Sequence, residues 1–333
     1  MIRSTILGLY AMVFLWCYAY GQRSGILAKE SQQSNVSLNP CLVGHWSQAT
    51  VWNVEYDELR DLIFLGSCGC IYVLDVSDPS KPEQLSYFNH SLCNTCGFFY
   101  DPNEQILYVC SGASGLTIWS LSDPTQPVKL GKYDTPGYAS SIDVMGHYAF
   151  VACADAGLCV LDVTHSDDPK EVGHFEMTSA TCLHVSGRYA YIADLGLRIL
   201  DISNPTTPME ISYYETPGVA FGLDVIDGHA YVADDWCGLR IIDISEPKNP
   251  HEVGYFLTPG YAWGVYVANS LAYVSACEEG LRVIDFTDVS DPREIAHYET
   301  SEAIVNALTY GSHIYMADAA DGLRIVSMTT FGN

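Results

Sequence analysis

The chain has 333 residues, enough for two ordinary domains or one large all-β domain, and length alone does not choose between them. Forty Asp and Glu stand against 15 Lys and Arg, a formal charge of −25. Such an acidic chain is a poor candidate for binding nucleic acid or anionic membranes.

In chain order, residues 1–21 come first and read as a secretory signal peptide. Arg3 is the only charge before an apolar run from Ile6 to Tyr20, and Ala19-Tyr20-Gly21 offers a small-x-small cleavage site. The run falls short of the roughly 20 residues that span a bilayer. Trp16, before Cys17, is too large for a lipoprotein cleavage site. The mature chain is therefore expected to be extracytoplasmic (secreted, periplasmic or at the cell surface), with no membrane insertion after cleavage. Residues 22–39 are polar and unpatterned and read as a disordered leader.

From residue 40 to 333 the chain repeats. A Gly-Leu pair followed by an apolar strand recurs at Gly115, Gly157, Gly196, Gly238, Gly280 and Gly322, mostly 42 residues apart, and Cys70-Ile71 fills the same slot earlier. One unit runs from Ala220 to Tyr255. AFGLDV reads as a strand, IDGH as a tight turn, AYVAD as a second strand, GLRIIDIS as a third and HEVGYF as a fourth. Four short strands per 42 residues is the size of a propeller blade. Stacking blades around an axis buries both faces of each sheet, and closing the ring protects the edges.

The fourth strands carry a small residue two positions before an aromatic, as in Ser86-Tyr87-Phe88 and Gly254-Tyr255-Phe256. A further copy, Gly44-His45-Trp46, precedes the first complete repeat, while the chain stops soon after the third strand of the last one. The expected fold is therefore all-β: a seven-bladed β-propeller of four-stranded antiparallel blades. An N-terminal strand closes the ring, residues 40–48 completing the last blade.

Leu-Arg-Ile-Ile-Asp at 239–243, Leu-Arg-Val-Ile-Asp at 281–285, Leu-Arg-Ile-Leu-Asp at 197–201 and Leu-Cys-Val-Leu-Asp at 158–162 carry a resemblance. With Pro turns such as Ser77-Asp78-Pro79, they resemble the LVIVD repeat of bacterial and archaeal surface proteins. The resemblance covers about 290 residues. It implies a propeller in an extracytoplasmic setting and carries no catalytic residues. Blade two departs from it with Leu116-Thr117-Ile118-Trp119-Ser120, and blade seven has Ser327 in place of the Asp.

The repeated Asp (Asp75, Asp162, Asp201, Asp243, Asp285) is expected to cap local backbone amides rather than to form a ring of ligands. The repeated Arg (Arg198, Arg240, Arg282, Arg324) reads as an inter-blade or surface partner. No HExxH and no GxSxG occurs. The first strands offer Asn53, Gly97, Ser141, Cys182, Gly222, Gly264 and Asn306 at one aligned position, small residues suited to packing near an axis.

Eleven cysteines follow the signal segment. Cys68, Cys70, Cys93, Cys96 and Cys110 fall in blades one and two; disulfides, a thiolate metal site and unpaired core residues all fit them. Cys153 and Cys159 flank one turn between strands, and Cys237 and Cys277 lie in equivalent loops of neighbouring blades, so each pair is a candidate bridge.

The loops between second and third strands should share a rim with the links between blades. Those loops contain Asp155, Asp194, Asp234, Asp235, Glu278, Glu279, Asp318 and Asp321; the links contain Asp134, Glu176, Glu215, Glu299 and Glu302. No Lys or Arg stands among them. Trp52, Tyr138, Phe221, Trp236, Tyr261 and Trp263 do. Acidic loops serve solubility and aromatics plug a channel, on one reading. On the other, the rim binds a basic protein or a glycan, with Trp236 the leading contact. Asp234, Asp235, Glu278, Glu279, Asp318 and Asp321 are candidate Ca²⁺ ligands, though no cofactor is required. Two classes of function follow: a non-catalytic interaction or adhesion scaffold, or an extracytoplasmic enzyme with a site, metal-assisted or not, at the channel mouth.

Overall fold

The computed structural model describes residues 39–329, so the proposed signal peptide and all but the last residue of the proposed leader lie outside the described residues. The chain forms seven four-stranded antiparallel sheets, with no helix among the described residues. In six sheets the strands are ordered as they occur in the chain. In the seventh, Asn39–Trp46 pairs with the last strand, Gly322–Thr329, outside His313–Asp318 and Ile304–Tyr310. The N-terminal strand thus completes the last blade, with Trp46 opposite Leu323 and Leu42 opposite Val326.

Blade five shows why the repeat folds as it does. Its strands are Gly222–Ile226, His229–Ala233, Leu239–Asp243 and His251–Phe256. Asp227 and Gly228 both adopt left-handed backbone, at φ 49° and 75°. That is the turn that matches the twist of a two-residue hairpin. The apolar third strand is buried at Leu239, Ile241 and Ile242 because blades cover it on both faces. Asp243 then accepts the Ser245 amide at 2.8 Å, and Asp75, Asp162, Asp201 and Asp285 do the same two residues on. The repeated Asp is a turn cap, as expected.

The core is not one cluster but seven, each spanning an interface between adjacent blades. At one of them, for example, Ile118 and Leu116 of blade two meet Val151, Leu161 and Ile142 of blade three. Each such side chain contributes roughly 1.5–3 kcal/mol when fully buried. At the closing interface Trp46 packs on Tyr72 of blade one, ring centres 4.9 Å apart.

The small residue of the fourth strand has a physical cause. It lies under the Pro turn of the next blade. A Cβ on Gly44, Gly173 or Gly254 would come within 1.8, 2.1 and 1.8 Å of the carbonyl oxygens of Pro79, Pro205 and Val289. Where serine stands instead, its hydroxyl donates to the same carbonyl: Ser86 to Pro124 at 2.6 Å and Ser212 to Pro247 at 2.5 Å. Ala296 faces the last blade, whose outer strand comes from the N-terminus, so no such turn connects its outer two strands.

Candidate functional site on the loop rim

The loops and links do share one rim. Isolated antiparallel bridges join the loop of one blade to the link entering the next: Gly112 with Ala139, Ala154 with Ala180, Asp235 with Ala262 and Cys277 with Ile304. The loops are therefore held by backbone, not merely close.

The rim is less one-signed than its sequence reads, because the repeated arginines reach it from the third strands. Asp194 accepts Arg198 Nε at 2.8 Å and the Ser179 amide at 2.9 Å. Asp318 accepts Arg324 Nε at 2.7 Å and the amides of Ala320 and Asp321. Asp234 accepts the Thr216 hydroxyl at 2.5 Å and the Gly218 amide at 2.8 Å, with Arg240 Nε 3.7 Å away. All three carboxylates are buried. Asp194 and Asp234 tie each loop to its own blade and to the link that enters that blade, Asp318 closes its own loop, and the oxygens of all three are already occupied. The arginines work within blades rather than between them. Asp321 is likewise engaged, by Arg324 at 2.6 Å and His45 at 3.1 Å.

What faces solvent is different. Trp236 is 64% exposed and Tyr261 45%. The bridge between Asp235 and Ala262 sets these two aromatics opposite each other across the loop–link pair. Asp235 is in left-handed backbone at φ 54°. Burial, with Asp234 adding its charge, raises its carboxyl to about 6. Glu278 and Glu279 stand exposed on the next loop, Arg282 donating to Glu279. Leu257, 58% exposed, extends the apolar surface into the same link.

Trp52, Phe221 and Trp263 directly precede first strands, whereas Tyr138 holds in the link into blade three the place that Tyr261 holds in the link into blade six. Phe221 and Trp263 stack face to face, ring centres 4.8 Å apart and planes 4° from parallel. Trp52 holds the equivalent place in blade one, its amide donating to Gly66. The Tyr138 hydroxyl accepts the Cys96 thiol at 3.3 Å.

A set of polar groups two residues further along the first strands escaped the sequence reading. Glu55, Asp143, His184 and Asp224 share one register position in blades one, three, four and five. Burial raises the Glu55 carboxyl from 4.5 to about 7, the Tyr56 amide opposing and Asp143 reinforcing. Burial raises Asp143 as well. His184 Nδ1 lies 3.5 Å from Asp224. Two of the carboxylates stitch blades together: Asp143 accepts the Val185 amide and Asp224 the Val267 amide, each at 2.8 Å. Extending the alignment beyond the small residues would have found them.

Cys68, Cys70, Cys110, Cys153, Cys159 and Cys237 are free thiols in this structure. Cys70 donates to Asn89 at 3.0 Å, and Cys110 is buried. The side chain of Cys93 lies outside the described residues. The Cys153 thiol donates to the Val151 carbonyl at 3.5 Å, and the Cys159 sulfur lies 3.7 Å from His174 Nδ1. Cys237 and Cys277 occupy different positions within their loops, the former before the glycine and the latter at the bridge to Ile304.

The repeat matches the LVIVD repeat over residues 104–135, 136–176, 179–216, 217–258 and 259–300, more than half of the chain. The chain belongs to the LVIVD-repeat family. The five matched repeats correspond to blades two to six, and blades one and seven of this LVIVD propeller keep the fold beyond them. The chain is also similar to transducin-like enhancer protein 2 of Mus musculus, at 28% identity over 131 residues. That match covers 37% of this chain and only 17% of the mouse protein. Among solved structures it resembles the computationally designed Ika8 protein, with a TM-score of 0.62 and 10% identity over 88% of this chain and all of that one. This likeness concerns fold alone.

Proposed function

We propose that this LVIVD propeller is an extracytoplasmic, non-catalytic interaction scaffold that holds a basic partner protein against the rim of blades five and six. The observation that carries the reading is the pair Trp236 and Tyr261, exposed on backbone fixed by the Asp234 network and the Asp235–Ala262 bridge. A large aromatic held in place before binding loses little entropy on contact, which is the property of an interface hot spot. Glu215, Glu278 and Glu279 stand exposed in the adjoining link and loop of the same rim, negative charge suited to steering a basic partner. Calcium is not needed for this reading; Asp235, Glu278 and Glu279 are the rim carboxylates best placed to take it.

The test is selection of a random peptide library on the immobilised propeller. Recovered peptides should be basic, and Trp236→Ala should weaken them by tenfold or more, as a hot-spot truncation of roughly 2 kcal/mol requires. Neutral peptides indifferent to Trp236→Ala, or binders mapped to the Pro-rich rim, would remove the reading. Export is tested separately: the mature protein should begin after Gly21, and peptide mapping without reduction should reveal a disulfide among Cys68, Cys70, Cys93, Cys96 and Cys110.

A further inference from the structure

Comparison of the blades with one another isolates blade three. In blades four, five and six the second residue of the third strand is an arginine, and it pairs with a glutamate of the fourth strand: Arg198 with Glu210, Arg240 with Glu252 at 3.4 Å and Arg282 with Glu294 at 3.5 Å. The registers make these positions equivalent, each glutamate lying opposite the fourth residue of the third strand. Blade two lacks the arginine, having Thr117, and it lacks the glutamate too, having Lys129. Blade one has Tyr72 and Gln84. Blade three alone of these keeps the acid, Glu171, and has no arginine to face it.

The arginine position of blade three is Cys159, and the loop position held by Asp194, Asp234 and Asp318 elsewhere is Cys153. Both members of the Asp–Arg pair have become thiols, and His174 lies directly across from Cys159. The lysines of the fourth strands in blades two and three include Lys132, paired with Asp134 at 2.5 Å, and Lys170, paired with Asp168 at 2.9 Å. An acid, an imidazole and two thiols thus converge where blades four, five and six place a guanidinium.

We propose that Cys159, Glu171 and His174 form a binding site for a thiophilic divalent cation of the zinc class, with the Cys153 thiol beside it. Sulfur, imidazole and carboxylate are the three donor types zinc takes. The Cys159 sulfur lies 3.7 Å from His174 Nδ1, which lies 3.5 Å from a Glu171 oxygen. Zinc bonds of tetrahedral geometry require donor separations of about 3.4–3.6 Å, so little movement is needed. Among the described residues this is the one place where three such ligand atoms lie within 4.8 Å of one another. The Tyr133 hydroxyl donates to the other Glu171 oxygen at 2.5 Å and orients it, the outer-shell support such sites use. Cys159 is buried, whereas the His174 and Glu171 side chains are 31% and 30% exposed, which gives the cation a route in. Binding displaces the Cys159 proton to solvent as the sulfur–metal bond forms, so affinity should rise with pH.

The experiment is titration of the full chain, under a mild reductant, with Co²⁺ as a zinc probe. A thiolate-to-cobalt band should saturate, be displaced by Zn²⁺, and vanish in Cys159→Ser. His174→Ala, a change at a partly exposed side chain that leaves the ring intact, should weaken binding by more than the roughly 10–100-fold typical of outer-shell losses, and Tyr133→Phe by about that amount. The Cys68→Ser/Cys70→Ser double variant should keep the band. A band that survives Cys159→Ser or is unmoved by His174→Ala, or a Cys153–Cys159 disulfide in the protein as purified, would overturn the proposal.

Discussion

Glu55→Gln should make the propeller more stable, and more so as pH rises. The Glu55 carboxyl lies inside the ring, where loss of hydration raises it from 4.5 to about 7. An acid raised in the folded state stays protonated while the unfolded chain releases its proton, so stability falls as pH climbs from 4.5 to about 7 and the full cost persists above. That shift corresponds to a cost of about 1 kcal/mol at pH 5 and about 3 kcal/mol at pH 8. The latter is an upper figure, because the side chain keeps some contact with solvent. Gln retains an oxygen for the Tyr56 amide, which Glu55 accepts at 3.1 Å, and cannot ionise. Urea unfolding of both proteins between pH 5 and 8 measures the difference. The variant's advantage should grow by about 2 kcal/mol over that interval. Parallel curves would show that Glu55 is not held protonated and that the channel is wetter than its packing implies.

Removing residues 39–47 should expose the edge of the last blade and abolish cooperative melting, and Trp46→Ala alone should cost roughly 3–5 kcal/mol in chemical unfolding. Gly173→Ala drives a methyl toward the Pro205 carbonyl and should cost roughly 1–3 kcal/mol, read as a lower Tm, whereas Ser86→Ala, which loses one hydrogen bond, should cost about 1 kcal/mol. Asp234→Ala leaves Arg240 without its loop partner and should cost roughly 3–5 kcal/mol, while Asp155→Ala, on an exposed loop, should cost under about 0.5 kcal/mol.

Blade number, strand order and closure by residues around Gly44–Trp46 were legible in the sequence, because a repeat exposes its own period and a missing fourth strand must be supplied from somewhere. The cap role of Asp243 and its equivalents was legible for the same reason: a residue beside every turn answers to the turn. The rim's membership followed from strand alternation alone. Its chemistry did not. Asp234 and Glu278 read alike along the chain, yet one is buried on Thr216 and Gly218 and the other faces solvent, because the arginine that neutralises the loop arrives from a strand several residues away. Glu55, Asp143, His184 and Asp224 are separated by some 40 residues each or more and meet only around the closed axis. Cys159, Glu171 and His174 converge because a bulge in the fourth strand aligns Glu171 and His174 beside the third. Periodicity specifies where a backbone goes; which side chains share a charge is decided by three-dimensional approach, and only the folded ring contains that information.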